Sequence, residues 1–422
     1  MTTRLTLTLG LLTLGLGHAV QASEFPANKL FVGSQGNDRV LMFGQKGNIA
    51  ATLGVSSALS DPTGLAFGPG GLLYVLSAGS QDVQVFDADS DAPVFSFGAT
   101  AGLTAPQGLA FGPRGQLFVG DGGSQSVFIF ERDGSHVDTL GAGSGLGSPS
   151  GLAFSAQGHL YVTCSDSGSI FEFDQRGALV QTLGEGSDLV SAGGLAVRND
   201  GALLVSSSTT DSVLVIAPTG EQVDTIGQGS ILDDPGALCR GPDDNLYVVS
   251  RGTDKILAFD EDGDVARIIG KSKSLKTARA LAFAPFRFKF NAKGALAADG
   301  TKVVGMKQPG ILSISPGSQS IMLQLLKPNG SATGLDVVFG SDTLVMAGAE
   351  AYMPKQPKKR RFHGEWFSDD STENGLGSLT MTVSGKPNKK GFFEIKGVKG
   401  LFMRAGEDGV FFGKGKSGKL IK

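Results

Sequence analysis

The chain has 422 residues, 40% of them apolar, enough for more than one buried core and far too long for a small disulfide scaffold. Its 64 glycines follow no Gly-X-Y period and hydrophobic runs recur throughout, which excludes collagen and disorder and makes glycine the punctuation between short elements. Four His, two Cys and one Trp leave little material for a His- or Cys-based metal site or a thiol mechanism, and the net charge of −3 conceals a strong asymmetry between the two ends.

Residues 1–22 carry Arg4, an apolar stretch from Leu5 to Gly17 and small residues ending at Ala22. This is the three-part pattern of a secretory signal peptide, so cleavage after Ala22 and a secreted or periplasmic protein are expected. The apolar core is too short for a permanent anchor, and no later segment approaches the roughly 18 apolar residues of a transmembrane helix.

From Lys29 a phrase begins to recur: PTGLAFGPGGLLYV at Pro62, PQGLAFGPRGQLFV at Pro106, PSGLAFSAQGHLYV at Pro149 and AGGLAVRNDGALLV at Ala192, with weaker copies at Pro235 and Ala278. Its leucines, Leu65, Leu109, Leu152, Leu195, Leu238 and Leu281, are spaced by 44, 43, 43, 43 and 43 residues. Each unit reads as four short strands, such as GLAF, LYV, VQVFD and VDTLG, separated by Gly, Ser, Asp and Pro turns. Four strands in a period of about 43 residues predict one β-propeller blade per repeat. Lys29 to Gly54 lacks its opening strand, whereas Leu281 to Phe283 is an opening strand without a continuation. The two halves make a sixth blade, closed by pairing a strand near Phe31 with one near Ala282. Cys164 ends a second strand and Cys239 lies in an opening strand two blades on, so both are expected to be free thiols.

Gly33-Ser34-Gln35-Gly36-Asn37-Asp38-Arg39-Val40 and the GLAF…LYV pairs resemble the turn and first two strands of NHL-repeat propellers over residues 28–285. In that family the second strand often ends in Asp; here the position holds Ser34, Ser77, Asp121, Cys164, Ser207 and Ser250, and only Asp121 keeps the carboxylate.

After about Phe286 the repeat gives way to alternating runs such as GILSISPG, SLTMTVSG and GFFEIKG, which predict a β-sandwich or small barrel over 286–422. Pro354 to Arg361 reads as a basic loop or linker, and Phe362 to Phe367, with the only Trp, reads as a core strand or a sugar-stacking patch. The expected fold is thus all-β: a six-bladed propeller over 23–285 followed by a second β domain.

Charge divides the same way. Residues 23–285 hold 15 Lys and Arg against 29 Asp and Glu, while 286–422 hold 21 against 11. An acidic propeller argues against nucleic acid, which needs clustered cations, and the basic tail suits an anionic polymer or an acidic surface. Gly413-Lys414-Gly415-Lys416-Ser417-Gly418-Lys419 nearly spells a phosphate loop, but Leu420 follows where Ser or Thr is required. Asp87-Ala88-Asp89-Ser90-Asp91 and Asp260-Glu261-Asp262-Gly263-Asp264 have carboxylate spacing that suits Ca²⁺, yet they occupy equivalent hairpin turns where Asp and Gly serve the backbone. No cofactor is expected, with Ca²⁺ as the one alternative.

Loops between second and third strands and between successive blades form the best candidate face, because loops carry function on a rigid scaffold. Its polar ring is Asn37, Asp38, Arg39, Gln81, Asp82, Asp121, Gln125, Asp166, Asp211, Arg251 and Asp254. The residues point to an exported binding or scaffolding protein that engages a protein or glycan. The rival is a lyase or lactonase with a divalent metal at the channel mouth, though after the signal peptide only His136, His159 and His363 remain to serve it.

Overall fold

The computed structural model describes residues 29–285 except positions 45–46, 69–70, 88–89, 113–114, 142, 156, 185–188, 190, 199, 230, 242, 244 and 271–274, and beyond them the backbone of strands between 286 and 420. The expected signal peptide lies outside the described residues. Two compact units divide at Pro285 and Phe286.

The first unit is a six-bladed β-propeller. Each blade is a four-stranded antiparallel sheet, and five of them take their strands consecutively from the chain. The sixth pairs Ala278–Phe283 with Leu30–Ser34, Arg39–Phe43 and Ile49–Leu53, so the ends of the repeat region share one sheet. Its register places Phe31 opposite Ala282, the closure that the split repeat predicts. The opening strands lie innermost and touch in sequence around the ring: Pro62–Phe67, Pro106–Phe111, Pro149–Phe154, Ala192–Val197, Pro235–Arg240 and Ala278–Phe283, the last meeting the first.

Burial follows strand position. Second strands such as Leu73–Ser77, Leu160–Cys164 and Leu246–Ser250 are buried along their whole length, because a neighbouring blade covers each face. This explains their unbroken apolar runs. Fourth strands such as His136–Leu140 and Gln222–Ile226 begin exposed and carry polar residues. Among the described residues six hydrophobic clusters form, one in each joint between blades; that between the closing blade and the next joins Phe31 and Val40 to Leu65, Phe67, Leu73 and Val75. Cys164 and Cys239 are free, and burial pushes the Cys164 thiol up to about 11.

The glycine of GLAF has a packing role. A Cβ on Gly64 would lie 3.2 Å from Leu109 Cγ of the next blade, and one on Gly151 would lie 2.5 Å from the Gly193 carbonyl oxygen and 2.9 Å from Leu195 N. Backbone atoms cannot swing aside, so Gly151→Ala is expected to cost about 1–3 kcal/mol, read as a lower denaturant midpoint at unchanged slope.

The second unit is one eight-stranded sheet in which sequential strands pair antiparallel within 286–339 and within 359–420, the two runs join where Phe286–Leu296 pairs with Phe411–Leu420, and Ala332–Phe339 and Lys359–Phe367 form the edges. Of the basic stretch read as a loop, Lys359–Arg361 instead open the strand Lys359–Phe367, paired with Gly375–Ser384; a β-run continuing through Phe362 to Phe367 carries them into the sheet. Residues 354–358 lie outside the described residues. Gly413 to Lys419 form part of an extended strand rather than a phosphate loop. Among the described residues no helix is long and apolar enough to cross a membrane.

Candidate functional site

The position ending each second strand fastens the chain to itself. Asp121, fully buried, accepts hydrogen bonds from Thr104 N at 2.9 Å, Thr104 Oγ1 at 3.0 Å, Ala105 N at 2.7 Å and Ser124 N at 2.9 Å. Burial alone would raise its carboxyl, but these bonds outweigh it and hold the group below the ordinary carboxylate range. Serines do the same at equivalent positions. Ser77 Oγ accepts from Ser60 N and donates to Ser60 O, and Ser250 makes the same pair with Asp233. Ser34 engages Lys276 in the same manner and also accepts from Asn37 Nδ2 at 2.9 Å. The repeat needs a short acceptor here, and Asp and Ser both supply one.

A second set of the sequence-derived residues clips blades together. Asp38, Gln81, Gln125, Asp211 and Asp254 all have positive φ, between 47° and 58°, in the turn before a third strand. Asp and Asn-like side chains tolerate that left-handed conformation better than most. Asp38 Oδ1 accepts from Asp61 N at 2.8 Å, Asp211 Oδ1 from Asp234 N at 2.8 Å, and Asp254 Oδ1 from Thr277 N at 2.5 Å. Gln81 Nε2 donates to Thr104 O at 2.9 Å. Each bond joins a turn to the segment leading into the next blade. Asp82 Oδ1 accepts from Ser80 Oγ at 2.5 Å, Asp166 packs beside Gly147, and Arg39 and Gln125 are exposed.

Of the eleven, Arg251 lines a cavity. This cavity, about 580 Å³, sits at the mouth of the central channel on the face of these turns. All six inner strands wall it, and their six repeat leucines, Leu65 through Leu281, line it as a nearly buried apolar ring. Two residues earlier in each strand comes a second ring of Thr63, Gln107, Ser150, Gly193, Gly236 and Arg279. Side chains alternate along a strand, so residues two apart share a face and the polar ring stands over the leucines. Thr63 Oγ1 donates to Pro106 O and Ser150 Oγ to Ala192 O, each bridging to the next inner strand.

The polar ring escaped sequence reasoning, although a signal exists. Within an otherwise uniform phrase, the residue after the opening Pro or Ala changes from Thr to Gln, Ser, Gly, Gly and Arg. A repeat that varies at one inward position is diversifying its channel.

Charge at the mouth is concentrated on one side. Arg251 lies across Gly236, whose missing Cβ leaves a place 3.3 Å from Arg251 Cδ, and its guanidinium is paired with Asp234. Arg279, in the next blade, is held through Nε, which donates to Gln35 Oε1 at 2.6 Å. Among the described residues Asp61 is the one carboxylate lining the cavity; burial pushes its carboxyl up, opposed by the charge of Arg279 and a hydrogen bond with Gln35.

The histidines stand elsewhere. His159 Nδ1 is 2.6 Å from Glu172 Oε1, and His136 Nε2 is 3.0 Å from Thr139 Oγ1. Burial opposes the charge of Glu172, but bonds from Gln181, His159 and Tyr161 hold its carboxyl below the ordinary range. The acidic runs serve turns: Asp260 Oδ1 accepts from Asp262 N and Asp264 N, and Asp91 binds Val55 N and Ser56 Oγ. Among the described residues, no group of three or more His, Cys, Asp or Glu is placed to hold a metal ion.

No family model and no curated protein matches the chain. Among solved structures it is similar to a protein of unknown function from Bacteroides caccae, at 13% identity and a TM-score of 0.50 over 61% of this chain and 98% of that one. A chain of a nidogen/laminin complex matches at 16% identity and a TM-score of 0.50 over 61% and 98%. A virginiamycin B lyase from Staphylococcus aureus matches at 14% identity and a TM-score of 0.46 over 71% and 92%. At such identities the likeness is one of fold, and the chain is a six-bladed β-propeller joined to a second, eight-stranded β unit.

Proposed function

We propose that the protein is an exported binding module whose propeller mouth engages a protein or glycan partner. The observation that carries this reading is the cavity of about 580 Å³, a size typical of ligand sites, with a polar rim over an apolar floor. The Leu5–Gly17 segment and Ala22 support export, and the GLAF phrase supports an NHL-type propeller as the scaffold. The eight-stranded unit, with 21 Lys and Arg against 11 Asp and Glu, supplies a second contact for an anionic polymer such as an envelope polysaccharide.

The test is retention of a panel of envelope glycans and peptides on the immobilised full chain, compared with its Arg251→Ala/Arg279→Ala variant. Retention of at least one panel member by the parent chain and its loss in the variant is expected. Equal retention by both proteins counts against the mouth. Binding at the basic unit has a different signature, a steep fall with added salt that the mouth variant does not alter.

A further inference from the structure

The mouth pairs two chemistries that a neutral glycan does not satisfy together. Arg279 is oriented by Gln35 through Nε, its Nη1 and Nη2 make no hydrogen bond among the described residues, and its charge also faces the carboxyl of Asp61. A guanidinium fixed at Nε with both terminal nitrogens open is a fork for a carboxylate. Arg251, by contrast, is already committed to Asp234. Two residues further along the same strand, about 7 Å away at strand rise, Leu281 contributes to the leucine ring. A neutral hexose offers neither a carboxylate for the arginine nor an apolar branch for the leucines.

Resting on the reading of the mouth as a binding site, we infer that it receives the C-terminal end of a protein chain, the α-carboxylate on Arg279 and an apolar last side chain on the leucine ring. The cavity is walled on all sides by inner strands, so a chain end enters it whereas a continuous chain would have to cross its rim.

The experiment titrates the full chain with acetyl-Ser-Gly-Leu as the free acid, the same peptide as its C-terminal amide, acetyl-Ser-Gly-Ser as the free acid, and octanoate. The free acid ending in Leu is expected to bind at least tenfold more tightly than the amide and than the Ser peptide. Arg279→Gln should abolish the acid-over-amide preference, and Arg279→Lys should restore only part of it, since an ammonium keeps the charge without the fork. Equal affinity for acid and amide, or no binding of either at millimolar peptide, overturns the inference. Octanoate binding as tightly as the Leu peptide also overturns it, because the site then selects a simple amphiphilic carboxylate. If the peptides fail while a panel glycan is still lost in the Arg251→Ala/Arg279→Ala variant, the binding reading survives and only this inference falls.

Discussion

Asp121→Ala is expected to lower the stability of the propeller by on the order of 3 kcal/mol, because it strands several buried donors at once. Thr104 N, Thr104 Oγ1, Ala105 N and Ser124 N all donate to this carboxylate, which has no exposed surface. Asp121→Ser should recover much of the loss, since serine performs the same tethering at Ser77 and Ser250. The folded carboxyl is held below its ordinary value, so its contribution is present above the unfolded pKa of about 3.9 and disappears as pH falls through the folded value. Denaturant titrations at pH 7 and pH 3 check both points. The difference between parent and Asp121→Ala should be large at pH 7 and smaller at pH 3.

Phe31→Ala should be as damaging, at about 3–5 kcal/mol, for a different reason. Phe31 has no exposed surface, meets Phe67 edge-on at 5.2 Å and sits in the strand that pairs with Ala278–Phe283 to close the ring. A cavity here weakens the one blade whose strands come from opposite ends of the repeat and its joint with the next blade. A lower denaturant midpoint with a second transition at low denaturant is the expected signature of local opening there. A truncation on an outer strand, Val223→Ala, exposed by 55%, should change stability by less than about 0.5 kcal/mol.

The repeat was fully legible in the sequence because its physics is local and periodic. Apolar runs such as LYV are imposed by blades on both sides, and Gly64 and Gly151 are imposed by neighbours that approach too closely for a Cβ. Even the closing pair Phe31 and Ala282 followed, since an incomplete first unit and an incomplete last one must complete each other. The site was less legible, because a polar residue in a turn looks the same whether it awaits a ligand or holds the next blade. Asp38, Asp211 and Asp254 are inter-blade clips, a role set by partners 23 residues away in the sequence. Arg251 was legible as a rim residue, whereas Arg279 was hidden inside a strand phrase read for its apolar residues. In the basic stretch, proline and charge suggested a loop, but Lys359–Arg361 enter a strand because the alternating run beyond them continues the sheet.

If tethers hold this fold while the mouth binds, stability and binding separate in a single paired measurement. Melting temperature and retention of the panel ligand are read on the same preparations of Asp121→Ala and Arg279→Gln. Asp121→Ala should melt several degrees lower yet retain ligand below its melting point; Arg279→Gln should melt like the parent chain and lose the ligand. A folded Arg279→Gln protein that retains ligand as well as the parent, or one whose loss of binding follows its loss of stability, contradicts the account.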